Sequence, residues 1–171
     1  MTAHQTTHPN TQFIISWHPF YLDPTVKQTE GKRARYERKF GKSRFEQMIP
    51  HMEAVGQAEG ITFKYGGMIG NTRDSHRLIA EAGARGGDMQ DRLVNALFHA
   101  YFEVNDDISD KATLATIATT VGLFASDEEG MEFLKSEKRG AEVDREVDIN
   151  QYRRGISGVP HFTIEGNIML C

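Results

Sequence analysis

The chain has 171 residues, 24 acidic against 20 basic, a net charge of −4 and a single cysteine. That length suits one cooperative domain, or one domain carrying a subdomain, and a net acidic chain whose Lys and Arg read as spread along it does not favour a nucleic-acid partner. Apolar runs fall well short of the ~20 residues that cross a bilayer, so no membrane association is expected, and one cysteine excludes an internal disulfide framework.

Residues 1–11, polar and rich in Thr and His, read as a disordered lead-in with neither region of a secretory leader, so the expected compartment is reducing and cytoplasmic. Structure is expected from about Gln12. The segment FIISWHPFYL (13–22), rich in β-branched and aromatic residues, stops at Asp23-Pro24 as a strand ending in a turn does. Helical signals follow. KRARYERKFG forms a short amphipathic helix closed by Gly41, and SRFEQMIPHMEAVGQAEG places Ser43 and Glu46 at capping-box spacing, with Pro50 expected to kink the helix.

Residues 71–87 put Leu78, Ile79 and Ala82 on one face, and 88–103 repeat Val94, Leu97, Phe98 and Tyr101 at spacings of three and four. Residues 109–122 align Leu114, Ile117, Ala118 and Val121 between an Asp110 cap and a Gly122 stop; Ser126 and Glu129 form a second capping box before Met131 and Leu134. A charged helix over 137–154 ends at Gly155, and HFTIEG (161–166) after Pro160 is the second convincing strand. The order is strand, about seven helices, strand: a helical block inserted in a small α/β fold.

Four segments, FIISWHPFYLDP, NTRDSHRL, LFHAYFEVNDDISDKATLATIATTVGL and GISGVPHFTIEG, occur in one order and spacing. Together they resemble DsbA-like thioredoxin-domain oxidoreductases of the FrnE type over roughly residues 13–166. The resemblance implies an α/β fold, mostly helical overall, in which an incomplete thioredoxin-like fold spans 12–171 with a large helical insertion at about 28–135. It implies thiol–disulfide exchange with protein or peptide thiols. In that family a strand and a helix bearing a CPWC-type dithiol precede the WxPFxLxP strand, and a further strand and helix follow GVPxF. Neither flank is complete here, so the chain reads as the family's interior, its catalytic dithiol absent and its activity lost.

No catalytic residue is therefore assigned. Implied substrate-binding residues are Val159 and Pro160, whose peptide bond is cis in the family and turns the preceding backbone toward a substrate strand. An ordinary trans proline opening a strand stays open beside that reading. Asn71 and Thr72, with His76, fall where the family opens an inserted helix toward its groove, and a helix N-terminus there can hold a peptide or glutathione carboxylate. Capping by Asn71 or Thr72 with His76 on the surface is the plainer alternative. Trp17, His18 and Phe20 read as packing.

Cys171 is the sole sulfur nucleophile, at a terminus without a cationic neighbour in sequence, and reads as an inert thiol rather than a catalytic monothiol. A glutathione-binding relative of kappa-class transferases and chromene carboxylate isomerases is a third reading, although neither Ser16 nor Ser157 matches the serine those proteins use. A non-catalytic peptide- or partner-binding module, alone or as a homo-oligomer, is the other alternative. The seven histidines show no metal-ligand spacing, and no cofactor motif occurs. With the sheet's middle strand missing, the backbone of 13–20 needs another partner, and amide-exchange protection is expected to concentrate in residues 72–121.

Overall fold

Helical periodicity puts apolar side chains on one stripe, and the fold buries those stripes against one another. The computed structural model describes residues 13–164 and the backbone of 168–170; the lead-in 1–11, Gln12, the end of the expected second strand and Cys171 lie outside the described residues. In chain order the described elements are β1 (Glu30–Gly31), α1 (Lys32–Phe40), α2 (Lys42–Ala58), β2 (Met68–Ile69), α3 (Arg73–Ala84), α4 (Gly87–His99), α5 (Lys111–Thr120), α6 (Asp127–Lys135), α7 (Gly140–Asp148), β3 (Phe162–Ile164) and β4 (Ile168–Leu170). α4 and α7 each run on into a π-helical turn, Ala100–Val104 and Ile149–Arg153. The seven helices match the expected number.

The core lies between α3, α4, α5 and α6. Leu78, Ala82, Leu97, Leu114, Ala118 and Leu134 come together there at positions that the pattern marked, joined by Leu93 and Phe133, which it did not mark, while Phe98, marked for the same stripe, is exposed. Each buried leucine contributes about 1.5–3 kcal/mol. The predicted caps hold on α5 and α6: Asp110 accepts from Thr113 N at 2.8 Å and Ser126 accepts from Glu129 N at 3.4 Å. Glu129 returns its carboxylate to Ala125 N rather than to the cap residue itself. Gly122, at φ 82°, lets Leu123 N reach back to Ala118 O at 2.9 Å, and Leu123 drops into the core.

Arg77 is the largest polar group buried there, 1% exposed. Its guanidinium donates to the carbonyls of Phe133 (3.2 Å), Ser136 (2.6 Å) and Lys138 (2.9 Å), and to Asp74 (2.7 Å). A cation thus sits at the carbonyl end of α6, where the helix dipole favours one. Val143 and Val147 are buried on α7, which lies against α3.

Several expectations are corrected. Residues 13–22 form no ladder: the segment is extended, with Ile15, Trp17 and Pro19 turned inward and Ile14, Ser16 and His18 outward, the alternation of a strand without its neighbour. β1 pairs instead with β2, a two-residue antiparallel bridge (Glu30 opposite Ile69) too short for any periodicity to announce. The Ser43–Glu46 capping box does not form, because Gly41, at φ 84° and ψ 136°, both ends α1 and starts α2, leaving Ser43 inside the helix. α2 is a single helix with Pro50 inside it, which leaves the expected kink untested. The last helix starts at Gly140 rather than 137, since Arg139 takes a left-handed conformation (φ 66°). β4 was not expected; its backbone pairs with β3, Thr163 opposite Met169.

Candidate functional site

A strand without a ladder must satisfy its amides and carbonyls elsewhere, and side-chain amides do so here. Gln90, 8% exposed on α4, accepts from Trp17 N at 3.0 Å and donates to Trp17 O at 3.1 Å, taking the place of a neighbouring strand's backbone. Asn150, 3% exposed, donates to Pro19 O at 3.0 Å, and Gln151 donates to Tyr21 O at 2.9 Å. Trp17 Nε1 donates to Asp91 at 3.1 Å while its ring meets Phe98 edge-on at 5.9 Å. Trp17 and Phe20 pack as expected; His18 is exposed and lies against Glu146.

Asn150 also ties this segment to the loop bearing the implied peptide-binding residues. Its carbonyl accepts from Ile156 N at 3.0 Å, so residues 19 and 156 hang from one side chain and its own backbone. The loop then carries Val159 and Pro160, joined by a cis peptide bond, into β3. Val159, Phe162 and Ile164 are exposed.

Asn71 and Thr72 sit at the start of α3. Asn71 Oδ1 accepts from Arg73 N at 2.8 Å, and its amide donates to Val26 O at 3.4 Å, so the side chain is occupied in closing the helix end. Thr72 is the cap position, but its side chain makes no capping bond; its carbonyl accepts from His76 N at 3.1 Å and from His76 Nδ1 at 2.7 Å. A carbonyl only accepts, so Nδ1 carries the proton. His76 is half-buried rather than on the surface, its ring edge-on to Tyr21 at 5.3 Å. Burial lowers its pKa, against the opposite pull of the Thr72 and Phe20 carbonyls.

Charge surrounds this cluster. Arg73 donates to both oxygens of Asp144 at 2.9 Å, and Tyr21 OH approaches Asp144 at 3.5 Å. Burial, then the nearby Asp144 charge, pushes the Tyr21 phenol up to about 12. Arg73 hydrogen bonds hold the Asp144 carboxyl below its ordinary value despite desolvation. An open cleft of about 350 Å³ beside Asn71 is bordered by Lys27, Arg73, Lys111 and Glu137; Val159 and Pro160 are not among its lining residues. The two implied binding pairs thus lie at separate places, linked through the 13–22 segment. Gln90 and Asn150, which position that segment, were missed by sequence reasoning; a polar residue on an otherwise apolar helix face is the signal that marks them.

Among the described residues no group of three or more His, Cys, Asp and Glu could hold a metal, and no helix is long and apolar enough to cross a membrane. A family model described as DSBA-like thioredoxin domain matches residues 1–171. No significant similarity to a curated protein is found. The chain is similar to the crystal structure of a probable DsbA oxidoreductase from Streptomyces coelicolor, at 24% identity and a TM-score of 0.75, over 88% of this chain. It spans 65% of that chain's length. The likeness shows the fold, the mostly helical α/β arrangement of DsbA-like thioredoxin proteins.

Proposed function

The chain belongs to the DSBA-like thioredoxin domain family, and from that premise we propose that its 171 residues hold a substrate peptide without themselves containing a dithiol. It resembles thiol–disulfide oxidoreductases, and the four motif segments support placing it in the FrnE branch, with protein or peptide thiols as partners in a reducing compartment. The observation that carries the reading is the exposed apolar edge after the proline loop, with Val159 52%, Phe162 58% and Ile164 47% exposed. An extended peptide adds to such an edge through backbone hydrogen bonds, its side chains reading the pockets beside it. Val159 and Pro160 would present the backbone; Asn71 and Thr72 would act through the α3 terminus, since the Asn71 side chain is already hydrogen-bonded.

The 171 residues contain one thiol, Cys171. Thiolate attack on a disulfide breaks one S–S bond and forms a mixed disulfide, and a second thiol must attack that bond to release reduced product. With one thiol per chain the second step has no internal attacker, so these residues alone should not turn over. The test measures insulin reduction and peptide binding on the same protein. Expected results are no reduction above that of Cys171→Ser, and binding of an unfolded, carboxymethylated peptide that Pro160→Ala weakens several-fold. Turnover that survives Cys171→Ser, or peptide binding indifferent to Pro160→Ala, overturns the proposal. Calorimetric titration with glutathione should give no heat; a saturable heat would favour the kappa-like alternative.

A further inference from the structure

Charge is less evenly spread over this molecule than the sequence reading had it. Residues 32–44 hold seven of the 20 basic side chains against one acid, Glu37. Folding neutralises some of them. Arg35 and Arg38 share Glu30, whose carboxyl they hold down to about 2, and Arg33 pairs with Glu37 and Glu46. Lys32 is buried, its ammonium on the Tyr101 carbonyl at 2.6 Å and over the Tyr101 ring. Lys39, Lys42 and Arg44 are left exposed around the Gly41 turn with no ion pair among the described residues, and Phe40 between them is 37% exposed. The 17-residue α2 behind them buries only Phe45 and Gly56. A 17-residue helix so little covered has room for a partner.

The opposite charge gathers on the first turns of α6. Asp127, Glu128, Glu129 and Glu132 are all exposed, and none makes an ion pair among the described residues. Their existing bonds are to neutral groups: Asp127 accepts from Thr116 Oγ1 at 2.6 Å and Glu129 from Ala125 N at 2.9 Å. The two unneutralised groups, three cations and four carboxylates, are opposite in sign, and among the described residues no ion pair joins them. We infer that the α1–α2 tip of one molecule docks on the first turns of α6 of a second copy, with Lys39, Lys42 and Arg44 facing the four carboxylates and Phe40 as the apolar contact.

A second copy is the occupant because it brings the complementary α6 carboxylates to the tip; the net −4 charge opposes every anionic partner, another copy included, so it does not choose between them. Tip and cluster are unlike surfaces, so the contact is heterologous and each bound pair leaves one tip and one cluster free for further copies. Exposed charges carry it, so salt must weaken it: the screening length falls from about 30 Å at roughly 0.01 M to about 3 Å at 1 M.

Sedimentation velocity on the full chain tests this with charge reversal. Lys42→Glu with Arg44→Glu makes the tip net negative; Glu128→Lys with Glu132→Lys brings the cluster to no net charge. The tip pair places acids in the first turn of α2, where the helix dipole accepts them, so folding should survive, and far-UV circular dichroism checks both variants. Wild-type protein is expected to self-associate at low salt and dissociate at high salt, each variant alone to be monomeric, and an equimolar mixture of the two variants to associate again. A monomeric wild type at low salt, association unchanged by the tip variant, or a mixture that stays monomeric would each overturn the inference. So would wild-type protein that remains monomeric yet binds anionic vesicles or poly-glutamate through the tip.

Discussion

The α3–α6 block and the extended segment 13–22 satisfy their backbone by different means. Within the block every helix interior closes its own hydrogen bonds and the side chains are free to pack, giving Leu78, Leu93, Leu114 and Leu134 no exposure at all. The extended segment has no such internal closure. Three side-chain amides, Gln90, Asn150 and Gln151, stand in for an adjacent strand, and one face of the segment stays in water. A local element can be stable on packing alone, whereas an element that depends on distant single contacts is only as stable as those contacts. The two regions should therefore separate under perturbation, with amide protection high across 72–121 and low at 13–20.

The strongest way to break that contrast is to damage the block. Leu93→Ala removes a fully buried side chain between α3, α4 and α5 and should cost about 2–5 kcal/mol, depending on how far the site collapses. Chemical denaturation followed by far-UV circular dichroism measures it. Because Trp17 is the chain's single tryptophan and rests on α4 through Gln90, Asp91 and Phe98, its emission should change at the same denaturant concentration in this variant. A Trp17 transition that stays put while helicity melts earlier would show that the segment does not depend on the block.

Most of the block was legible because helical signals are local. The Asp110 and Ser126 caps, the Gly122 stop and the stripe through Leu78 and Ala82 each lie within one or two turns of what they specify. The 13–22 segment was legible as extended, since its two-residue alternation survives, but its lack of a ladder depends on partners more than 70 residues away. The same distance hid β1 and β2, and the Gly41 joint overrode the Ser43–Glu46 signal because one glycine can serve both helix ends. At the candidate site the proline loop was readable from GVPHF, whereas the half-burial of His76 was not, because it is the tertiary approach of Tyr21 that covers the ring.

A smaller perturbation should sharpen the contrast. Gln90→Ala deletes both hydrogen bonds to Trp17, worth about 0.5–1.5 kcal/mol each, and leaves α4's packing leucines in place. The expected result is red-shifted, more quenchable Trp17 emission and faster exchange at residues 15–19, with the helical melting transition moved far less than by Leu93→Ala. Gln90→Glu separates geometry from chemistry. A carboxylate can still accept from Trp17 N but cannot donate to Trp17 O, so it should recover about half of the loss.

The gentlest test uses pH and acts on the segment alone. His76 is held neutral in the fold, its Nδ1 proton on Thr72 O, and burial lowers its pKa below the usual 6.5. A group whose pKa is depressed by folding stabilises the native state fully above its unfolded pKa, and that contribution is lost as pH falls through about 6.5 toward the folded value. The groups facing the ring decide whether this holds. Tyr21 lies edge-on and stays protonated, with its phenol near 12, while Arg73 and Asp144 are already paired with each other. His18, beside Glu146, is a second histidine in the same segment. The measurement therefore belongs in a His18→Gln background. Between pH 7.5 and 5.5, exchange at residues 17–21 and Trp17 emission should report progressive loosening while helicity stays constant. His76→Phe, which keeps the ring against Tyr21 but cannot titrate, should flatten that dependence; a slope that persists in it would place the titrating group elsewhere.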